Sequence, residues 1–333
     1  MKNKKILITG GAGFLGTNLA ENLLKREAKV IIVDNLSRRG SELNIKKLIN
    51  EFGKKIKFYK VDLSDISHVI HKEKPSLIYH FAAQVAVTSS VDSPADDFRV
   101  NAEGTFLVAH TASLYDIPVI YSSTNKVYGD NVNNVPIKEY KTRYDFSGDL
   151  KGFGVDENFS IDSRKHTPYG CSKLAGELYV REFGGVVNRC SCMYGPNQYG
   201  IVDQGWVSYF INRKLTDGKI TIFGDGKQIR DLLYIDDVVS LLIIQGRNLL
   251  SGKKELRGEV FSIGGGHENT ISLIELCDIL DLEMEFSDWR PSDQKVYYAD
   301  ISKAEKILGW KPKISSKEGI KKLLDWSKLE KDK

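Results

Sequence analysis

The run Lys5-Ile6-Leu7-Ile8-Thr9-Gly10-Gly11-Ala12-Gly13-Phe14-Leu15-Gly16 decides the fold. Lys5 to Thr9 predict a short buried strand. Leu19, Leu23 and Leu24 continue a helical pattern directly behind it. Gly10, Gly13 and Gly16 permit a tight strand-to-helix turn and let the backbone approach a pyrophosphate at the helix N-terminus. Phe14 and Leu15, at the mouth of that helix, join the cofactor-binding set. Val30 to Val33 predict a second strand ending in Asp34, with Asn35 next. Asp34 stands 18 residues beyond Gly16, where a carboxylate can accept hydrogen bonds from the adenosine ribose. Strand, glycines, helix, strand and acid in this order predict a dinucleotide site. Asp34 should repel a 2′-phosphate, which favours NAD over NADP. Arg38 and Arg39 nearby leave the phosphorylated cofactor open, and a loop cap is the other reading of Asp34.

The alternation of strand and helix then continues. Lys57 to Val61 runs into Asp62-Leu63, an edge for adenine. Ser76 to Phe81 is a fourth strand followed by Ala82-Ala83-Gln84, small enough for backbone to touch the cofactor. Asp92 to Leu114 reads as one long helix containing Asn101, and Val119 to Ser122 as a fifth strand. The fold class expected is α/β: a doubly wound parallel Rossmann sheet with a smaller C-terminal substrate-binding lobe. Residues 1–190 form the NAD-binding domain, with a polar, turn-rich insertion at 130–167. Residues 191–333 mainly form the substrate lobe, parts of which return to the first domain. Beyond residue 190, Tyr194–Asn197, Gly224–Gly226 and Gly264–Gly266 read as turns. Arg230-Asp231 and Arg290-Pro291-Ser292-Asp293 place arginines in loops, where guanidinium forks can hold a diphosphate or form surface ion pairs.

The chemistry is expected from Tyr169-Gly170-Cys171-Ser172-Lys173, on a helix introduced by Pro168. A tyrosine and a lysine four residues apart share one helical face. The ammonium favours the phenolate, and a phenol so tuned can take a proton from a hydroxyl and return it. Alone the pattern carries little information; downstream of a dinucleotide unit it becomes specific. Ligands sit beyond the carboxyl ends of the strands in such a sheet, which is where Thr124 falls.

Composition narrows the class. The formal net charge is +4 and the basic residues are scattered, apart from Lys2–Lys5 and the tail Lys328–Lys333, so no nucleic-acid partner is expected. No apolar run reaches the length of a membrane span. The N-terminus does not read as a signal peptide, and the four cysteines (171, 190, 192 and 277) have no zinc or redox spacing. Reduced thiols in the cytoplasm and no metal are the expectation.

Gly10-x-x-Gly13-x-x-Gly16, Asp34, Asp62, Ala82-Ala83, Asn101, Ser122-Ser123-Thr124 and Tyr169-x-x-x-Lys173 together resemble the extended short-chain dehydrogenase/reductases that act on nucleotide sugars. The likeness covers essentially the whole chain. Within the family it is most similar to the CDP-sugar 2-epimerase branch, through Ser122–Gly129, Pro168–Lys173, Ser191–Gly195, Asp203-Gln204-Gly205-Trp206-Val207, Gly226–Asp231, Ser292–Gln294 and the insertion ending near Asp156-Glu157. That resemblance implies an NAD-dependent epimerase inverting C2 of a CDP-linked 3,6-dideoxyhexose; a UDP-sugar 4-epimerase of the same family is the alternative, and a non-catalytic NAD-binding regulator is the reading from another class. It makes Tyr169 the base, Lys173 its partner and the holder of the nicotinamide ribose, and Thr124 the ligand of the reacting oxygen. Ser122 would join the cofactor site. Thr88, Asn125, Lys126, Gln204, Arg230, Arg290 and Asp293 would bind substrate with Thr124. Many relatives have Asn where Cys192 stands, and most lack the insertion. Dehydratase relatives carry Asp-Glu after the active-site Thr, where this chain has Asn125-Lys126. Relatives also pair helices near 92–114 and 168–183, so a homo-oligomer, dimer or tetramer, is expected.

Overall fold

A computed structural model describes residues 1–162, 165–216, 218–290 and 293–331. Pro291 and Ser292 of the Arg290–Asp293 turn, and the last two residues of the charged tail, lie outside the described residues. In chain order the elements are β1 (Lys5–Thr9), α1 (Phe14–Lys25), β2 (Lys29–Val33), α2 (Ser41–Phe52), β3 (Ile56–Tyr59), α3 (Ile66–Glu73), β4 (Leu77–His80), α4 (Val87–Asp92), α5 (Pro94–Phe98), α6 (Gly104–Ser113) and β5 (Val119–Thr124). There follow β6 (Ile137–Glu139), β7 (Tyr144–Phe146), α7 (Pro168–Glu182), β8 (Val186–Cys190), β9 (Cys192–Tyr194), α8 (Trp206–Leu215), β10 (Ile220–Phe223), β11 (Ile229–Tyr234) and α9 (Ile235–Leu250). The chain closes with β12 (Val260–Ile263), β13 (Thr270–Ser272), α10 (Leu273–Leu280), β14 (Met284–Ser287), β15 (Val296–Tyr297), α11 (Ser302–Leu308) and α12 (Ser316–Lys331).

Two compact units emerge. The first comprises Met1–Thr124, Pro168–Arg189 and Val238–Val260; the second comprises Asn125–Thr167, Cys190–Asp237 and Phe261–Lys333. The main sheet is the expected doubly wound parallel one, seven strands in the order β12-β8-β5-β4-β1-β2-β3. Its central strands are buried on both faces, which is why β1, β2 and β4 read as nearly continuous apolar runs. Leu7, Ile31, Val33, Ile78 and Val119 from the strands meet Ile66, Val69, Ile70, Val108 and Ala112 from α3 and α6 in one core cluster. Strand order reverses between β1 and β4, so the ligand crevice is expected at their carboxyl ends. The segment 238–260 docks in the first unit through polar pairs: Asn188 and Gln245 exchange amide hydrogen bonds at 2.9 and 2.8 Å, and Tyr79 Oη donates to Leu242 O at 2.8 Å.

The structure corrects two local expectations and adds detail to a third. Asp92–Leu114 is not one helix: α4 ends at Asp92, Ser93 leaves helical geometry, and α5 restarts at Pro94. Proline disfavours a helical residue before it, so the break falls there. Residues Arg99–Glu103 then form a π-turn that continues into α6 and contains Asn101. The polar, turn-rich 130–167 stretch includes some regular structure. It holds the β6–β7 hairpin, in register Ile137↔Phe146, whose three-residue strands are too short to show a period in sequence. Arg230-Asp231 lies in a strand, not a loop. β11 is the centre of the second unit, paired with β13, β15 and β9. Its charge is satisfied inside: the fully buried Asp231 accepts from Ser191 Oγ, Gly266 N (3.2 Å) and Ala299 N (3.1 Å).

The hairpin is anchored by one arginine. Arg143 donates to Glu275 through Nε (2.8 Å) and Nη2 (2.5 Å), and to Thr270 Oγ1 and O at 3.1 and 3.0 Å. Glu275 also closes the capping box of α10 with Ser272. The guanidinium holds the Glu275 carboxyl below its usual range against the burial that would raise it. Arg143→Ala is expected to lower unfolding free energy by about 1–3 kcal/mol, the cost of stripping a charged hydrogen-bond partner. Urea denaturation checks the loss, and hydrogen exchange should show faster amides across residues 137–146.

Candidate active site

The cofactor cradle is built from backbone that no side chain could replace. Gly10 has φ +64°, and a Cβ there would lie 2.7 Å from Ala82 N. A Cβ at Gly16 would lie 2.3 Å from Gly10 O, and one at Gly13 would lie 3.2 Å from that same atom. The turn between β1 and α1 is therefore as tight as the chain permits, with Gly13 capping the helix and Phe14 and Leu15 opening it. The first-turn amides of α1 lie at the end of the turn, as a pyrophosphate requires. Asp34 accepts from Ala12 N (3.0 Å) and Leu36 N (2.8 Å) at the end of β2. Burial pushes its pKa up, and the backbone donors of Leu36, Ala12 and Gly13 oppose the shift. Asn35 Nδ2 donates to Asp62 Oδ2 at 2.9 Å, and Asp62 Oδ1 accepts from Leu63 N at 2.7 Å, so these three residues stand together. A carboxylate at β2 and a glycine floor with no room for Cβ fit an unphosphorylated dinucleotide.

After β4, Phe81 N and Ala82 N both donate to Thr9 Oγ1 at 3.2 Å. Ala83 and Gln84 follow, half-buried. Asn101 is fully buried, and its side chain clamps that loop: Oδ1 accepts from Gln84 N and Nδ2 donates to Gln84 O, both at 2.9 Å. Asn101 thus reaches the cofactor loop by holding its backbone. Thr88 is exposed on α4, two residues before Ser90, whose Oγ accepts from Tyr169 N at 3.2 Å.

Tyr169 and Lys173 are both buried on α7, at 8% and 2% exposure. Lys173 Nζ donates to Ser122 O at 2.7 Å and sits 4.2 Å above the Tyr121 ring, a cation–π contact. Thr124, also buried, ends β5 two residues beyond Ser122. Arg38 lies within electrostatic reach of the Tyr169 phenol. Beneath Tyr121 stacks His80, 5.4 Å between ring centroids, bound to Thr9 Oγ1 (2.6 Å) and Thr105 Oγ1 (2.9 Å). Burial and then the Lys173 charge push the His80 pKa down to about 3, so this imidazole is neutral at physiological pH. The far half of α7 is fixed by Glu177, which pairs with Arg189 of β8 (Nη2–Oε2 2.9 Å) and accepts from Ser123 Oγ. Sequence reading passes over His80, Asp97, Ser172 and Glu177. The spacing of Asp97 and Asn101 by one helical turn was the available signal for the second.

The expected substrate residues gather in the second unit, apart from Thr88 and Thr124. Arg230 Nη2 donates to Asp293 Oδ1 at 2.7 Å, with both side chains largely buried. Asn125 Nδ2 and Lys126 Nζ both approach Gln294 Oε1, at 3.3 and 3.5 Å. Burial, then Arg230, lowers the Lys126 pKa to about 8 against the pull of Asp293 and Asp130. Arg290 lies over the Phe223 ring at 4.0 Å and reaches Val202 O and Asp203, each at 3.2 Å. Gln204 Oε1 is buried with no hydrogen-bond partner among the described residues. A cavity of about 580 Å³ in this unit is lined by Asp130, Asn133, Trp289, Arg290, Asp293 and Lys295 among others. Trp206 Nε1 donates to Cys192 Sγ at 3.0 Å. Among the described residues no cluster of His, Cys, Asp and Glu could hold a metal, and no helix is long and apolar enough to cross a membrane.

Comparisons with known proteins agree on the lineage. Residues 6–264 match the NAD dependent epimerase/dehydratase family. The chain is 39% identical to the CDP-paratose 2-epimerase of Salmonella typhi, covering 97% of this chain and 99% of the relative. It is 34% identical to a putative UDP-glucose 4-epimerase of Methanocaldococcus jannaschii, covering 97% and 98%. Among solved structures, UDP-glucuronic acid 4-epimerase from Bacillus cereus, in complex with UDP-glucuronic acid and NAD, superposes with TM-score 0.80 at 28% identity, covering 98% and 99%. Gly16→Ala is expected to weaken NAD binding by about tenfold or more, the factor of a loss of about 1.4 kcal/mol, because its Cβ would strike backbone. Dinucleotide released on denaturing the purified variant and wild type measures the change. Matched over most of its length and carrying the glycine cradle and the Tyr169–Lys173 pair, the chain belongs to the NAD dependent epimerase/dehydratase family of nucleotide-sugar enzymes, and its cofactor is NAD.

Proposed function

We propose that the enzyme inverts C2 of a CDP-hexose, with CDP-paratose and CDP-tyvelose as the pair interconverted. The observation that carries this reading is the 39% identity to a CDP-paratose 2-epimerase over nearly the whole of both chains. The Asn125-Lys126 pair weighs for an epimerase over a dehydratase, since neither residue is a carboxylate that could join an acid/base pair for the elimination of water.

A carbinol hydrogen is not acidic, so simple deprotonation cannot invert the centre at a useful rate. Bound NAD supplies the redox chemistry that makes the carbon planar and then tetrahedral again. Tyr169 Oη takes the hydroxyl proton and later returns it. Lys173 favours the phenolate, and Thr124 Oγ1 holds the reacting oxygen by a hydrogen bond. In the second unit, Arg230 and Arg290 would hold the diphosphate, Asp293 and Lys126 would orient the sugar nucleotide, and the buried Gln204 Oε1 offers an acceptor to a substrate N–H or O–H.

Two experiments test the reading. A panel of CDP-, UDP-, dTDP- and GDP-sugars followed by NMR should show inversion at C2 of a CDP-hexose, with deuterium placed at C2 retained there in ordinary water. Washout of the label, or inversion confined to C4 of a UDP-sugar, would overturn the proposal. The second concerns assembly. Phe98, Leu114, Leu178 and Tyr179 are 59, 66, 56 and 45% exposed on or beside α5, α6 and α7. We take this apolar face to be covered by a second copy of the chain. Light scattering should give at least twice the monomer mass, and Leu178→Glu should return the monomer.

A further inference from the structure

Under α7 lies a buried polar network that none of the steps above uses. Asp97 is 1% exposed on α5. Its Oδ1 accepts from Asn101 Nδ2 and Gln84 Nε2, both at 3.0 Å, and its Oδ2 accepts from Ser172 Oγ. Asn101 Nδ2 also approaches Ser172 Oγ at 3.3 Å. Ser172 Oγ lies 3.1 Å from Tyr169 O, so it touches the helical turn that carries the phenol, and Lys173 is its immediate neighbour. Four side chains thus tie together the Ala82–Gln84 loop, the π-turn and the first turn of α7.

A carboxylate in the interior is costly, and an apolar residue of similar size would pack there with less loss. Burial accordingly pushes the Asp97 pKa up, while Ser172, Gln84, the Lys173 ammonium and Asn101 oppose it. A fully satisfied buried network fixes one arrangement of the elements it joins. The catalytic turn is the element whose arrangement matters most, because a displacement of about 1 Å in a reacting group can cost 10²-fold in rate.

We propose that Asp97 and Ser172 are positioning residues: the Ser172 hydroxyl, gripped by the Asp97 carboxylate, sets the rotation of α7 that aims Tyr169 and Lys173. The proposal rests on the assignment of Tyr169 as base.

The test compares Asp97→Asn, Ser172→Ala, the double variant and Tyr169→Phe, each purified with NAD and assayed on whichever nucleotide sugar the panel identifies. Asp97→Asn and Ser172→Ala should each lower kcat by about tenfold or more while KM stays within about twofold. The double variant should be no worse than the poorer single, since both act through one link. Hydrogen exchange of the amides at 169–176 should quicken in both singles at unchanged NAD content, whatever sugar the enzyme takes. Losses that multiply in the double variant, or wild-type exchange at 169–176, would overturn the proposal. Tyr169→Phe should lose about 10²-fold or more in turnover. If it does and the Asp97 and Ser172 variants keep wild-type kcat, only the positioning role fails. If Tyr169→Phe keeps its turnover, the base assignment falls first and this proposal with it. Ser172→Ala removes a single oxygen, so it carries the test even if Asp97→Asn folds poorly.

Discussion

The constraint on which the first unit depends is the contact of bare backbone at the end of β1. Gly10 leaves the strand with a positive φ and passes so close to Ala82 and Phe81 that any Cβ would lie within 2.9 Å of three of their backbone atoms. Gly16 in turn presses on Gly10 and Gly11. Three segments converge with no side chain between them: the end of β1, the start of α1 and the loop after β4. Their amides must still be satisfied. Thr9 Oγ1 serves two of them, Phe81 N and Ala82 N, and itself meets His80. The geometry that opens the strand-order reversal to a phosphate is the same geometry that forces this accounting.

From that point the polar interior can be followed as one chain of consequences. His80 must be neutral because burial and Lys173 make its cation expensive, and as a neutral ring it can bridge Thr9 and Thr105. Tyr121 stacks on it, and the Lys173 ammonium lies 4.2 Å from the centroid of the Tyr121 ring. Two of the contacts of the buried Lys173 ammonium are oriented ones, to the Tyr121 ring and to Ser122 O. Glu177 lies one turn further along α7, but its charge is taken up by Arg189 and Ser123.

The parts of the fold legible in sequence were those whose cause is local. The strand, glycine turn and helix of Lys5–Lys25 follow from a short apolar run, residues without Cβ and a 3.6-residue period. The helix at Pro168–Glu182 follows from a proline at its start. What sequence reading missed has causes far along the chain. Arg230-Asp231 reads as a loop in sequence, yet Asp231 accepts hydrogen bonds from Ser191, Gly266 and Ala299, and Arg230 donates to Asp293. The β6–β7 hairpin is held by Arg143 reaching Glu275, 132 residues away. Asp97 and Ser172 lie 75 residues apart, and nothing in the spacing of either announces the other.

The same contrast bears on what distinguishes this enzyme from its relatives. Oxidation and return of hydrogen at a carbinol ask for the same base, cation and hydroxyl whichever carbon is inverted, so Tyr169, Lys173 and Thr124 cannot by themselves choose C2 over C4. The choice must come from groups that hold the rest of the substrate. On the proposed reading those groups belong to the second unit, where Asn125 and Lys126 meet Gln294, Cys192 meets Trp206, and Gln204 has a buried oxygen without a hydrogen-bond partner among the described residues. An unsatisfied buried acceptor discriminates strongly, because a ligand that lacks the matching donor leaves it desolvated and unpaired. Under the proposed function, then, the redox centre limits what reaction can occur, and the second unit's amides, lysine and arginines would select the atom at which it occurs.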